Sequence, residues 1–144
     1  GWAQWPGRMH FLIAGPVTHL LPSDAEVWVD GGHNVSAGLA LAKYFADYEA
    51  GSIDLVIGML ANKDASAIIT PLHEKLASVT VIPVPGHESH ALGDYPDAGA
   101  PMKEASDITA ALRSLEAGSG KTVLIAGSLY LAGEVLKANE QVPD

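Results

Sequence analysis

The sequence predicts a single α/β domain, a sandwich of three layers in which a mostly parallel sheet of five or six strands lies between helices. The chain has 144 residues, of which 48% are hydrophobic, so it is long enough to bury the core of one domain. Its strand segments are nearly continuous apolar runs, which are typical of strands buried on both faces. Segments with helical periodicity separate them, as the right-handed crossovers of a parallel sheet require.

The strand segments follow one another at regular intervals. Residues 8–13 form the first, and a region containing Gly15, Pro16 and Pro22 separates it from the second, Glu26–Val29. We expect these two to pair as neighbours, with the first strand antiparallel at the edge of the sheet. The later strand segments are 54–58, 79–82 and Thr122–Ala126.

The helical segments show apolar residues at steps of three and four. Each helical segment therefore has one buried apolar face. Pro71 is expected to kink the second helix or to begin another short one. A fourth apolar segment, 129–136, follows the last strand. The apolar faces are Val35, Leu39, Ala42 and Phe45; Ile68, Leu72 and Leu76; and Ile108, Ala111, Leu112 and Leu115.

The composition excludes several classes of function. Seventeen acidic residues against eight basic ones give a net charge of −9, so there is no basic surface for nucleic acid or for an anionic membrane. The absence of cysteine excludes disulfides, thiolate catalysis and cysteine-bound zinc. No segment has the pattern of a membrane span or a signal peptide, so we expect a cytoplasmic protein. The chain begins with Gly1 rather than methionine, which processing and a piece cut from a longer protein explain equally well.

The ends of the predicted strands are where a ligand is expected, because open parallel sheets bind ligands outside the carboxyl ends of their strands. The second strand runs into Asp-Gly-Gly-His-Asn at positions 30–34. Asp30 is suited to accept the hydroxyls of a ribose, the glycines let a ligand approach the backbone, and the helix start offers amides to phosphate. His33 is then placed to contact base or phosphate. The alternative is that Asp30 and Asn34 only cap the next helix.

Two other strand ends carry candidate residues. Lys63 and Asp64 follow the third strand, where Asp64 is equally well explained as the cap of the following helix. Ser128 follows the last strand and precedes an apolar helix, so it either caps that helix or holds a carboxylate with its hydroxyl and the free amides. The sequence leaves both pairs of alternatives open.

Two further patterns resemble functional motifs but lack residues that those motifs require. The segment 118–122 resembles the end of a phosphate-binding loop, but Leu115 stands where that motif needs glycine, and a helix-to-strand turn explains it better. His87 and His90, with Glu88 and Asp94 nearby, lack the helical placement and the third ligand of a metal site. We therefore expect no metal in this domain.

Four motifs together resemble the carboxy-terminal domain of folylpolyglutamate synthase/dihydrofolate synthase, a relative of the Mur ligases. They are Trp-Pro-Gly-Arg at 5–8, Asp-Gly-Gly-His-Asn at 30–34, Gly-Met-Leu-Ala-Asn-Lys-Asp at 58–64 and Gly-Ser-Leu-Tyr-Leu-Ala-Gly at 127–133. The resemblance implies a Rossmann-like domain over residues 1–144. Val35 replaces the family's usual proline, and the segment 88–102 is shorter than in relatives, which predicts a sheet one strand short.

The resemblance also implies a function for the longer protein. A ligase of this family uses ATP to phosphorylate a dihydropteroate or folate carboxylate, and the amino group of L-glutamate then attacks the acyl phosphate. The amino-terminal ATPase domain, absent here, is expected to supply the phosphate loop and the Mg²⁺ ligands, so this chain alone is expected to be inactive and to hold no catalytic residue.

The same resemblance assigns roles to residues of this chain. ATP is expected to contact Arg8, Asp30, His33 and Asn34, and L-glutamate to contact Ser128, Lys63 and Asp64. Arginine suits phosphoryl charge because its guanidinium stays protonated and binds two oxygens at once. The main alternative function is a non-catalytic α/β module that binds a nucleotide or a protein, although such a module has no evident need for Arg8. A metal-dependent hydrolase is the other alternative.

Overall fold

A computed structural model of the chain describes residues 1–21, 24–116 and 122–143. Its sheet has six strands in the order β1-β2-β6-β3-β4-β5, in which β1 is antiparallel to β2 and every other neighbouring pair is parallel. The predicted class is confirmed. The strands are β1 (His10–Phe11), β2 (Glu26–Val29), β3 (Ile53–Ile57), β4 (Leu76–Val81), β5 (Met102–Glu104) and β6 (Thr122–Ala126).

Helices cover both faces of this sheet. The helices are α1 (Val35–Tyr44), α2 (Ile69–Leu72), α3 (Ile108–Arg113) and α4 (Leu129–Ala138). Apolar residues of α1 and α2 belong to one core and those of α3 and α4 to the other. Successive strand residues point to opposite faces, so Leu55 and Ile57 enter the first core while Val56 enters the second. These two cores make the three predicted layers.

Two sequence-based expectations about the elements are wrong. The sheet is not a strand short, because Met102–Glu104 pairs in parallel with β4. Leu76 belongs to β4 and not to the second helix. Pro71 lies in the first turn of α2, where a missing N–H breaks no helical hydrogen bond; α2 ends at Leu72, and a short 3-10 turn, His73–Lys75, follows it.

The outer edge of β1 is covered by the end of the chain. The Gln141 side chain accepts a hydrogen bond from the Ile13 N–H (3.1 Å) and donates one to the Phe11 carbonyl (2.9 Å). It therefore satisfies backbone groups that an edge strand otherwise leaves unpaired. This contact also fixes the strand that begins just after Arg8.

Among the described residues, no helix is long and apolar enough to cross a membrane. The turn expected at 118–121 lies outside the described residues.

Candidate functional site

The topology opens a crevice at the carboxyl ends of three neighbouring strands. Strand β6 lies between β2 and β3. The segments that leave β2 and β3 lead to α1 and α2 on one face, whereas β6 leads to α4 on the other. Chains that diverge to opposite faces leave a gap between them, which is the usual ligand position in this class of fold. The candidate residues after these strands therefore meet at one place.

Asp30 ends β2 and is only 2% exposed. One carboxylate oxygen accepts the N–H of Met9 and the other accepts the N–H of Gly32, each at 2.9 Å. Asp30 thus ties the segment after Arg8 to the loop before α1, and it does not cap that helix. Each oxygen retains a second lone pair, so the predicted ribose contact requires a hydroxyl to reach those remaining positions.

The helix cap is Asn34, whose side chain accepts the N–H of Ala37 at 2.9 Å. That part of the capping alternative is correct. The glycines before it pack against the protein itself: a Cβ on Gly31 would lie 2.8 Å from the Gly7 carbonyl oxygen, and one on Gly32 would lie 2.4 Å from the Ala37 Cβ. Their small size is needed for internal packing, whether or not a ligand approaches.

His33 lies half-buried at the centre of the crevice, where its Nδ1 is buried and has no hydrogen-bond partner. A buried ring nitrogen without a partner costs free energy, on the order of 1–3 kcal/mol. A ligand group that pairs with this nitrogen would remove that cost. His33 is therefore the described candidate most clearly in need of a partner.

Ser128 caps α4 and is 2% exposed. Its hydroxyl oxygen accepts the N–H groups of Tyr130 (3.1 Å) and Leu131 (3.3 Å). The predicted capping role is therefore correct. Because both oxygen lone pairs are engaged, the hydroxyl hydrogen remains to donate, and the adjacent helix start favours a negatively charged acceptor.

Gly127 explains how Ser128 reaches this position. Its φ is +111°, and a Cβ there would lie 2.7 Å from the Gly58 carbonyl oxygen. The ends of β6 and β3 therefore approach so closely that a side chain does not fit between them. This approach brings Ser128 beside the loop that carries Lys63.

Lys63 and Asp64 differ in the contacts that they make. The Lys63 backbone is fixed, since its N–H donates to the Leu60 carbonyl (3.0 Å) and its own carbonyl contacts the His90 ring (2.6 Å). Asp64 is exposed and accepts the N–H and hydroxyl of Ser66, which hold the pKa of its carboxyl below the usual range. Asp64 closes a turn and does not cap α2, which begins only at Ile69.

Two adjoining depressions share His33 and Leu129. The Ser128 pocket, of about 200 Å³, is lined by His33, Leu60, Lys63, Gly127, Ser128, Leu129 and Tyr130. The Arg8 pocket, of about 210 Å³, is lined by Pro6, Gly7, Arg8, Gly31, Gly32, His33, Asn34 and Leu129. Both are smaller than the roughly 300–1,000 Å³ of pockets that enclose a whole ligand.

The predicted site residues are distributed over these pockets. His33 lines both, Arg8 and Asn34 line one, and Lys63 and Ser128 line the other. The Arg8 guanidinium is exposed and, within the described part of the chain, has no hydrogen-bond or ion-pair partner. The buried Asp30 and the exposed Asp64 line neither pocket.

Sequence reasoning missed two residues of the Ser128 pocket. Leu129 and Tyr130 are half exposed at its rim, with 49% and 54% of their surface accessible. Their position in the first turn of a helix that begins at a strand end was the available signal, because that turn faces the ligand side of the sheet.

The two loop histidines point to different partners. The His87 ring stacks on Tyr130 with centroids 4.2 Å apart, whereas His90 lies beside Asp94 and Tyr95. Among residues 1–21, 24–116 and 122–143, no three His, Asp or Glu side chains are grouped so as to hold a metal ion.

Sequence comparison relates the chain to known proteins. Residues 7–129 match the family model described as Mur ligase, glutamate ligase domain. A probable bifunctional folylpolyglutamate synthase/dihydropteroate synthase of Halobacterium salinarum is 32% identical over 142 residues, which cover 92% of this chain and 16% of that protein. The folylpolyglutamate synthase of Lacticaseibacillus casei is 28% identical over 138 residues, which cover 92% of this chain and 29% of that protein. The chain thus spans less than a third of these relatives.

Structural comparison agrees on the fold. A crystal structure of Mycobacterium tuberculosis folylpolyglutamate synthase, complexed with ADP and AMPPCP, matches 98% of this chain and 34% of its own, with a TM-score of 0.72 and 20% identity. The family model covers most of the chain, and the independent structural match has the same architecture. The chain therefore belongs to the family of Mur ligase glutamate ligase domains.

Proposed function

We propose that this chain is the nucleotide- and glutamate-binding domain of an ATP-dependent ligase that joins L-glutamate to dihydropteroate or folate. The observation that carries the proposal is the adjacency of the Arg8 pocket and the Ser128 pocket, which share His33. A ligase of this kind must hold a phosphoryl group and an amino acid side by side. The names of the two curated relatives support the choice of substrate.

The Arg8 pocket has the chemistry of the nucleotide side. A guanidinium without a partner stabilises phosphate oxygens through charge-assisted hydrogen bonds. The unpaired Nδ1 of His33 adds one more group able to pair with the nucleotide. Asn34 lines the same pocket while its side-chain oxygen caps α1. In this proposal Asp30 also meets the ribose, through the lone pairs that Met9 and Gly32 do not use.

The Ser128 pocket has the chemistry of the amino-acid side. The Ser128 hydroxyl donates one hydrogen bond to a carboxylate, and the start of α4 adds a favourable electrostatic field. The Lys63 ammonium has no described partner and lies on the same pocket, so it offers a second contact to a carboxylate. Asp64 follows Lys63 on this loop without lining the pocket, and in this proposal its exposed carboxylate pairs with the amino group.

The reaction requires these groups to act together with a second wall. ATP transfers its terminal phosphoryl group to the dihydropteroate or folate carboxylate and leaves as ADP. The glutamate amine then attacks the carbonyl carbon, and phosphate leaves as the nitrogen loses a proton and the amide bond forms. Arg8 neutralises charge on the transferred phosphoryl group, while Ser128 and Lys63 orient the amine. Closure of the cleft against the remainder of the protein excludes water from the acyl phosphate.

In this proposal the described residues supply no Mg²⁺ ligand. They contain no group of three His, Asp or Glu side chains able to hold a metal ion. We assign the Mg²⁺ ligands and the phosphate loop to the amino-terminal ATPase domain of the longer protein, as the resemblance to this family implies, because nucleotide phosphates complete the coordination of Mg²⁺ there. Nothing in the roles of Arg8, His33 or Ser128 depends on a metal bound by this chain.

The test uses the purified full-length protein that contains this chain. We expect ATP-dependent incorporation of labelled L-glutamate into dihydropteroate or tetrahydrofolate, with one ADP released for each amide bond. The 144-residue chain assayed in parallel should show no turnover. Incorporation by the chain alone, or ADP release without glutamate incorporation, would contradict the proposal.

A further inference from the structure

The segment 84–95 pairs with the loop that carries Leu60 and Lys63 of the Ser128 pocket, but it does not line that pocket itself. The His90 N–H donates to the Met59 carbonyl (2.9 Å), and the Ala61 N–H donates to the Glu88 carbonyl (3.0 Å). These bonds pair the segment with the loop that carries Lys63. The two histidines of this segment therefore lie close enough to contact residues that line the pocket.

His90 reaches the backbone of Lys63. Its Nε2 lies 2.6 Å from the Lys63 carbonyl oxygen, and its side chain is only 14% exposed. A carbonyl oxygen only accepts hydrogen bonds, so Nε2 must carry the hydrogen. The Lys63 N–H already donates to the Leu60 carbonyl, and His90 therefore fixes the other side of the same residue.

The rest of the His90 environment holds the ring in place. Nδ1 lies 3.5 Å from an oxygen of Asp94, and that carboxylate accepts the Ala91 N–H at 2.9 Å. The Tyr95 ring packs edge-on against the imidazole, with centroids 5.7 Å apart. The Tyr95 ring therefore packs against one side of His90, whereas the Asp94 oxygen attracts Nδ1 only when that nitrogen also carries a hydrogen.

His87 supports the opposite wall. Its ring stacks on that of Tyr130 at 4.2 Å, with an angle of 25° between the planes. Tyr130 lies on the rim of the Ser128 pocket, next to the serine that caps α4. One histidine thus contacts the Lys63 side of the pocket and the other contacts the Tyr130 side.

We propose that His90 and His87 are positioning residues that hold Lys63 and Tyr130 in place for the carboxylate of the incoming amino acid. The inference rests on the proposed function, since it concerns the same pocket. Neither histidine lines the Ser128 pocket. His90 fixes the backbone from which the Lys63 side chain extends, so removal of that bond should weaken glutamate binding more than it affects ATP.

The experiment compares variants of the full-length ligase, with KM measured separately for L-glutamate and ATP. H90L should raise KM for L-glutamate about five- to tenfold, the size expected for one lost hydrogen bond, while KM for ATP stays within about twofold. H90Q, which keeps an N–H donor, should recover most of the loss. H87A should raise KM for L-glutamate by a smaller factor, and H87F should preserve it by stacking.

A double-mutant cycle shows whether His90 acts through Lys63. In the K63M background, H90L should add less than about a twofold change to KM for L-glutamate, because the ammonium that the fixed backbone positions is gone. Equal effects of H90L in both backgrounds, or equal increases in KM for both substrates, would overturn the inference. If the wild-type enzyme ligates glutamate but H90L leaves KM for L-glutamate unchanged, the positioning role is refuted and the proposed function is not. A wild-type enzyme that ligates no glutamate would refute the proposed function as well.

A spectroscopic measurement is independent of turnover. Two-bond ¹H–¹⁵N correlation spectra of the 144-residue chain at alkaline pH should show His90 protonated at Nε2. The opposite tautomer would remove the hydrogen bond to Lys63 and overturn the assignment.

Discussion

Replacement of Asp30 by alanine should destabilise the domain far more than replacement of an exposed aspartate. Both Asp30 oxygens accept backbone N–H groups at 2.9 Å, and the residue is 2% exposed. Hydrogen bonds to a charged group contribute about 1.5–3 kcal/mol each, so D30A should lower the free energy of unfolding by about 3–6 kcal/mol. That is a large share of the roughly 5–15 kcal/mol that stabilises a typical domain.

The assay is urea denaturation of the 144-residue chain followed by circular dichroism, with linear extrapolation to water. D30N retains one side-chain acceptor oxygen, so its free energy of unfolding should fall by about half as much as that of D30A. D47A is the matched control, because Asp47 is exposed and has no partner among the described residues, and it should stay within about 0.5 kcal/mol of the wild type. A D30A loss of less than about 1 kcal/mol would refute the anchoring role. A large loss would mean that D30A cannot test the ribose contact.

Two further changes have outcomes that follow from local structure. V35P should raise the free energy of unfolding by about 0.4–1 kcal/mol in the same assay, because Val35 is the exposed first residue of α1 and Asn34 before it is already extended; a loss of stability would contradict this. Burial raises the pKa of Tyr95 to about 12, from an ordinary value of 10.0. The stability that this shift contributes is complete below pH 10 and is lost as pH rises towards 12, since the unfolded state gives up the proton first. An ultraviolet titration of wild type minus Y95F should therefore place this tyrosine near pH 12, and a midpoint near 10 would disprove its burial.

Most of the fold was predictable because β2, β3, β4, β6 and the longer helices are marked by local apolar patterns. The exception was β5, whose Met-Lys-Glu sequence is partly exposed and has no apolar run. It is a strand only because β4 offers it an edge, which is a tertiary effect. Leu76 was misassigned because its three- and four-residue spacing from Ile68 and Leu72 is also compatible with burial in a strand.

The positions of the site residues were predictable, but their bonding was not. Ser128 and His33 could be identified because parallel strands present their carboxyl ends at one edge. The bond between Asp30 and the Met9 N–H joins residues 21 positions apart, and nothing local in the sequence signals it. The roles of His87 and His90 depend on rings and carbonyls brought together by folding, so spacing suggested only a metal site.

The most direct measurement compares R8Q and S128A in the full-length protein, with KM determined for ATP and for L-glutamate. D107A serves as the control, since Asp107 caps α3 with one hydrogen bond to Ala110 and lines neither pocket. Loss of a charge-assisted hydrogen bond corresponds to about a 10- to 100-fold change. R8Q should raise KM for ATP by that factor and S128A should raise KM for L-glutamate, each with little effect on the other substrate, while H33A affects both. Equal changes for both substrates in R8Q and S128A, or none beyond D107A, would contradict the assignment of the two pockets.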